Sequence, residues 1–460
     1  MKKKNYLLAS FLLMNLLLSC KDEINEKDDV GSVKSEAAKG LNLRPLFSEH
    51  HVIPISEASN IAIKATELFE DESTRANNFN PRVIESVGVY GWTNSSLRSA
   101  NASEDTLIYV FNFADNRGFA IVAADDRIPT QILAYVDEGS LENEVDNSGL
   151  QYALELMQDY VESSIDNFEQ TKDSLLAMAE VYSFEVDEKV TETRASYYTG
   201  TACYYLSESI VGPLLKVTWG QTYPYNMYVD KSCTNEGGNG GKAPVGCVAT
   251  ATAQIMSYWK YPSILNQLVL NWNNICSSSE IEYFNKDNIA RLMIEIGSEV
   301  NMDYECDGSG AKTSEAYNFF GRIGYNKSFS KLFNSSDAKS AIDSSRPLLV
   351  DGYREKKTSG ILLWKSTHYK HGHTWVMDGY LIIHYKQENY RINKRTGKYS
   401  STISFVDETY FHNNWGYEGD GNGYFAAGCF NMQDAYRYDN SSYSELRDYR
   451  YENYMYCVYR

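Results

Sequence analysis

Apolar residues recur along the chain in more than one rhythm, and each rhythm predicts a different element. In "EASNIAIKATELF", from Glu57, they recur at helical spacing, and Ser56 just before them supplies a capping oxygen. In "DTLIYVFNFADNRGFAIVAADD" the period shortens to two, and Leu107, Tyr109, Phe111 and Phe113 alternate as in a half-buried strand. Asp115-Asn116-Arg117-Gly118 supplies the turn into a second strand. Helical spacing returns over "LQYALELMQDYVESSIDNF" and "DSLLAMAEVY". It stops in "EVDEKVTETRAS", residues 185–196, a polar stretch that reads as a linker with basic cleavage sites at Lys189 and Arg194. The pattern predicts one folded unit over residues 41–190 and a second over 191–460. Length agrees, since 460 residues are too many for one ordinary core.

The first residues follow another logic. "MKKKNYLLASFLLMNLLLSCKDE" sets three lysines before an apolar run, which reads as an export signal over residues 1–19. Leu17-Leu18-Ser19-Cys20 resembles a bacterial lipobox, whose Cys is acylated and anchors the protein to a membrane; the alternative is an ordinary signal peptide. Lys21-Asp22-Glu23 resembles the tag that sends some Bacteroidetes lipoproteins to the cell surface. Residues 20–40 are charged and aperiodic, and read as a tether. The expected location is therefore the outer membrane, on the periplasmic or the outer side. A net charge of −18 with no long Lys/Arg run argues against a nucleic-acid partner.

Candidate chemistry lies in the second unit. In "PVGCVATATAQIMSYWKYP", Val248, Ala251, Ile255 and Tyr258 share one helical face, which puts Cys247 at a helix N-terminus. Amides and dipole there stabilise a thiolate. A buried structural Cys is the other reading of that stretch. In "HGHTWVMDGY", His373 opens an apolar strand-like run from which it can exchange a proton with a thiol; His368 and His371 stand nearby. "FHNNWGYEGDGNGYF" offers Asn414 to hold an imidazole and Trp415 to shield it, or simply a turn. "VTWGQTYPYN" offers Gln221, whose amide can donate to an oxyanion. The order Gln…Cys…His…Asn-Trp is that of papain-like enzymes.

Other motifs fall away on spacing. "GSGAKTS" is not a phosphate loop and "DGNGY" is not a complete calcium loop. Cys203, Cys233, Cys276, Cys306, Cys429 and Cys457 show no compact disulfide framework. Without a CxxC or HExxH, no metal and no cofactor is expected.

Taken together, these segments resemble the streptopain family of secreted bacterial cysteine peptidases. "GCVATATAQIMSYWKYP", "GHTWVMDGY" and "HNNWGYEGDGNGYF" are similar to its nucleophile, histidine and asparagine segments. "WGQTYPYN", "NWNNI" and "VNMDYECDGSGA" match further segments in order, over roughly 215–430. "YVFNFADNRGFAIVAADDRIPTQILAYVDEGS" resembles the family's inhibitory propeptide. The resemblance implies an α+β fold, a two-lobed papain-like domain preceded by an α+β propeptide, and an endopeptidase made as a zymogen. It implies Cys247 as nucleophile, His373 as base, Gln221 at the oxyanion hole, and Asn414 and Trp415 as orienting residues. Ser309, Gly310 and Gly372 would meet substrate, and protein or peptide substrates plus an activating protease or self-cleavage would be the partners. There are departures: Gly416-Tyr417 stands where the family has Gly-Trp, Cys306 lies in the substrate-wall loop, and "REKKTSGILLWKSTHYKH" is long. Two other functions use the same parts, a Cys-His-Asn amidase or acyltransferase and a non-catalytic binding lipoprotein.

Overall fold

The structure is a computed structural model. It describes residues 44–69, 82–182, 197–430 and 451–460, apart from positions 49, 92–93, 100–105, 142–144, 235–239, 277–282, 360–365, 394 and 397–398. Cys20, the tether, and the linker with Lys189 and Arg194 lie outside the described residues.

The first unit holds helix α1 (Ile55–Phe69), strands β1 (Ile84–Gly91), β2 (Asn94–Ser99), β3 (Thr106–Phe113), β4 (Phe119–Ala123) and β5 (Ile132–Val136), and helix α2 (Ser148–Tyr182). Ser56 lies inside the first turn of α1 rather than before it, because the helix begins one residue earlier. The turn from β3 to β4 is as expected, with φ of 62° at Asp115, 56° at Asn116 and 84° at Gly118. β3 departs from its half-buried reading. All eight of its residues are buried, and both α1 and α2 pack against it. The two helical stretches after it form the single helix α2.

The second unit adds β6 (Tyr197–Val211), α3 (Cys247–Trp259), a small hairpin of β7 (Ile264–Leu265) and β8 (Leu268–Val269), α4 (Tyr283–Glu299) and α5 (Thr313–Arg322). Then come β9 (Asn326–Leu332), α6 (Ser335–Asp343), β10 (Leu348–Ser359), β11 (Ser366–Asn393), β12 (Tyr399–Asn414), β13 (Gly423–Ala426) and β14 (Tyr451–Tyr459). This is a mixed helix and sheet protein whose named strand pairs all run antiparallel. Among the described residues no helix is long and apolar enough to cross a membrane.

One sheet crosses both units, in the order β2-β1-β3-β4-β5-β13-β12-β11-β10-β14-β9, with β6 also on β11. The joint is β5 on β13, pairing Val136 with Gly423 and Ala134 with Phe425. Strand alternation then sorts side chains into two cores. Leu348, Val350, Trp375, Met377 and Met455 point into a cluster shared with β3, β4 and α2 of the first unit. Leu349, Val376, Tyr456 and Val458 point the other way, into a cluster around α3, α4 and α5. Helix α3 is therefore not amphipathic, and every residue from Val248 to Ser257 is buried. Its small residues let it sit against β11, with Cys247 of its first turn bonded by Thr374 of that strand.

Candidate active site

Gly246 explains how the thiol is presented. Its φ is 87°, a left-handed value that glycine adopts without a Cβ penalty. A Cβ there would also lie 2.7 Å from Met302 Sδ and 2.8 Å from the Ser309 carbonyl oxygen. No side chain caps α3, so its first amides and the positive end of its dipole stand at Cys247. Burial nonetheless pushes the Cys247 thiol up, outweighing hydrogen bonds from Thr374 and the helix start that pull it down. The thiolate expected from the sequence is thus disfavoured in this state.

His373 does not open its strand. It sits within β11, which is paired with β10 from Ser366 onward, and it faces Gly352 across the ladder. Its side chain is buried, which holds its pKa down at about 4 and leaves it neutral. Its Nε2 lies 2.9 Å from the Trp415 carbonyl oxygen. A carbonyl only accepts, so Nε2 carries the proton and Nδ1 is the acceptor. Nδ1 takes its hydrogen bond from Ser148 Oγ, at 3.2 Å. Tyr417 in turn donates its hydroxyl hydrogen to Ser148 Oγ, at 2.7 Å. Both ring nitrogens are engaged, and neither is on Cys247.

Ser148 belongs to the first unit, at the N-terminus of α2. Asn147 fixes that end of the helix: its Oδ1 accepts from the amides of Gly149 and Leu150, both at 3.0 Å. Its Nδ2 donates to the Asp420 carbonyl at 2.6 Å, fastening the helix to the turn after β12. Gly149 then passes so close that a Cβ would lie 2.7 Å from both His373 Nε2 and Trp415 Cε3. The first unit thereby presses directly on the histidine.

Asn414 ends β12 and reaches partners other than His373, whereas Trp415, the next residue, does lie against the imidazole. Asn414 Nδ2 donates to the Val217 carbonyl at 2.9 Å, and its Oδ1 accepts from Gln254 Nε2 at 3.0 Å and the Gly416 amide at 3.3 Å. It makes no bond to His373 here. Trp415 is fully buried, 5.1 Å from the Trp375 ring, and walls the histidine with ring centroids 6.2 Å apart. Gln221 is buried, its Nε2 making no hydrogen bond of good geometry among the described residues and facing the Tyr417 hydroxyl.

Cys247 and His373 both border one cleft of 530 Å³, together with Ser309, Gly310, Gly372 and Thr374. Five positions named from the sequence, Cys247, Ser309, Gly310, Gly372 and His373, thus border one cleft. The sequence reading missed Ser148, Gly149, Tyr417 and Thr374. Asn147-Ser148 before an apolar helix is a local capping signal, but nothing local says which surface that helix end will meet. Beneath the cleft, Thr374 Oγ1 lies 2.8 Å from Thr313 Oγ1, and buried Asp351, its carboxyl pushed up to about 6 by desolvation, accepts from the Tyr353 and Tyr456 hydroxyls. Away from the cleft, His51, Asp125 and Asp126 converge closely enough to suit a metal. Arg127 already bonds both carboxylate oxygens of Asp125, at 2.9 and 2.6 Å.

Known proteins resemble the two units separately and together. Residues 219–425 match the family described as Peptidase C10, and residues 50–161 match the one described as Spi protease inhibitor. Streptopain of Streptococcus pyogenes is 26% identical over 363 residues, covering 70% of this chain and 74% of streptopain. The thiol protease/hemagglutinin PrtT of Porphyromonas gingivalis is 28% identical over 161 residues, 35% of this chain and 16% of PrtT. The chain belongs to the streptopain family of cysteine peptidases and carries an N-terminal propeptide of the inhibitor type.

Proposed function

We propose that the protein is an exported endopeptidase in which Cys247 and His373 carry the reaction once the unit over residues 41–190 has let go of His373. The observation that carries this reading is the double engagement of the imidazole, by Ser148 from the propeptide and by the Trp415 carbonyl, beside a thiol left protonated. In the freed enzyme the imidazole turns to the thiol and takes its proton. The thiolate attacks the substrate carbonyl carbon, and the Gln221 side-chain amide and the Cys247 backbone amide donate to the oxyanion. His373 then protonates the leaving amine, and later deprotonates the water that hydrolyses the acyl-enzyme. Asn414 and Trp415 hold the strand end against which the imidazole moves, and Ser309, Gly310 and Gly372 border the substrate. The two cores on opposite faces of β10 and β11 support a two-lobed papain-like arrangement, with the cleft at the seam.

Activation proceeds by a cut near Lys189 or Arg194. An anchor at Cys20 would leave the released catalytic unit, from about residue 197, free of the membrane. Since β5 and β13 share a ladder, the mature enzyme is best made by cutting the full chain. The test compares wild type with a chain in which Lys189 and Arg194 are both changed to Gln. Trypsin should start peptide hydrolysis in the first and not in the second, and a thiol-directed inhibitor should stop it. Full activity in the uncut chain would refute the zymogen mechanism. Anchoring is tested by fatty-acid labelling, which Cys20→Ala should abolish.

A further inference from the structure

The wall of the cleft is bolted to the segment that leads into the nucleophile. Cys233 and Cys306, 73 residues apart in sequence, form a disulfide. Cys306 sits in the loop between α4 and α5. That loop closes on itself through Asp303 and Gly310, whose amides and carbonyls bond reciprocally at 2.9 and 3.0 Å. The Ser309 hydroxyl ties back to Glu305, accepting from its amide at 3.2 Å. From there the loop supplies Ser309, Gly310, Ala311 and Lys312 to the cleft. Met302 and the Ser309 carbonyl lie against Gly246, immediately before Cys247.

Cys233 sits on a second segment that reaches the same thiol from the other direction. Its amide donates to the Gly241 carbonyl at 2.9 Å, and the Ala243 amide returns to Lys231 at 3.0 Å. Four residues beyond Ala243 the chain is at Cys247, and on the way the Val245 amide binds the Gln221 carbonyl at 2.9 Å. The tip of the wall loop has little else to hold it there. Glu305, Asp307 and Gly308 are exposed, and the Lys231–Glu305 ion pair at 2.8 Å is exposed on both sides, so water and salt screen it.

We propose that the Cys233–Cys306 disulfide is a specificity-determining brace. It holds the substrate wall at a fixed distance from the nucleophile, so that substrate affinity depends on it while the bond-breaking step at Cys247 does not. The inference rests on the peptidase reading above. It also gives two cysteines that showed no sequence framework a role in a protein whose nucleophile must stay reduced.

The test uses the full chain, processed by limited proteolysis until peptide hydrolysis is constant. Alkylation of the unfolded protein with and without prior reduction should differ by two sites, mapping to Cys233 and Cys306. A water-soluble phosphine, with water, reduces the bridge to two thiols and is itself oxidised to the phosphine oxide. KM for a peptide substrate should then rise about fivefold or more, with kcat changing less than twofold. Cys233→Ser/Cys306→Ser should show the raised KM from the start and no response to the phosphine. The wild-type comparison needs no variant to fold. Alkylation of Cys233 and Cys306 without reduction, an unchanged KM on reduction, or a fall confined to kcat would each overturn the brace. If no form hydrolysed peptide, the peptidase reading itself would have failed, which is a different outcome from active forms sharing one KM.

Discussion

The two sides of the cleft reach their positions by different routes. On the Cys247 side the placement is mostly local: Gly246 sets the turn, small residues let α3 sink into its core, and the open helix start meets the thiol, with Thr374 and the Met302–Ser309 loop as the distant contacts. On the His373 side almost nothing is local. The imidazole is positioned by the Trp415 carbonyl, 42 residues away in sequence, and by Ser148, 225 residues away in the other unit. The difference teaches where control resides. On the proposed mechanism, a nucleophile built by its own segment is present as soon as that segment folds, whereas a base held by a distant helix can be withheld and released.

Substitutions on the two sides should therefore fail in different ways. Cys247→Ser should abolish turnover at unchanged thermal stability, since oxygen fills nearly the same space. Residual turnover near wild type would remove the thiol from the mechanism. His373→Ala should cost several orders of magnitude in kcat, and His371→Ala little. The reverse ranking would move the base.

Acid should loosen the propeptide's hold, and the sign follows from His373. Its pKa is about 4 with the propeptide docked, against about 6.5 for a solvated imidazole. The released state therefore binds more protons between those values, so the docked state loses stability as pH falls through that window. His373's contribution is a weakening of inhibition by up to about tenfold per pH unit from about pH 6.5 down to about 4, measured as the inhibition constant of the separated propeptide. A hold that tightened on acidification would contradict this placement of His373.

Two smaller changes probe the contact itself. Gly149→Ala sets a methyl group against the His373 and Trp415 rings, and should weaken inhibition about tenfold or more without changing the kcat of the mature enzyme. Asn414→Ala removes buried bonds to Val217 and Gln254 and should lower stability by about 1–3 kcal/mol, with a smaller loss of kcat than either Cys247 or His373. A kcat loss as large as that of His373→Ala would make Asn414 a partner of the imidazole in the active state.

What could be read in the sequence follows the same divide. The β3–β4 hairpin, α2 and helix α3 were legible because short-range pattern and turn chemistry decide them. The alternation of Leu107 to Phe113 misjudged β3, since burial of a strand's second face depends on helices elsewhere in the chain. Both partners of the Cys233–Cys306 bridge were visible, but only the fold brings them within 5.7 Å, Cα to Cα. The partners of Asn414 and the approach of Gly149 to His373 are products of tertiary packing, with no local signature.

The measurement that bears most directly on a withheld base is the pH dependence of alkylation at Cys247, followed on its own peptide by mass spectrometry, in the uncut chain and in the processed enzyme. In the uncut chain burial keeps the thiol protonated, so the rate should stay low at neutral pH and rise only in alkali. In the processed enzyme, with His373 free to pair with the thiol, the rate at neutral pH should rise by orders of magnitude and its onset should move well into the acid range. Superimposable profiles for the two forms would contradict the account, because His373 would then stand in the same relation to Cys247 whether or not the propeptide is attached.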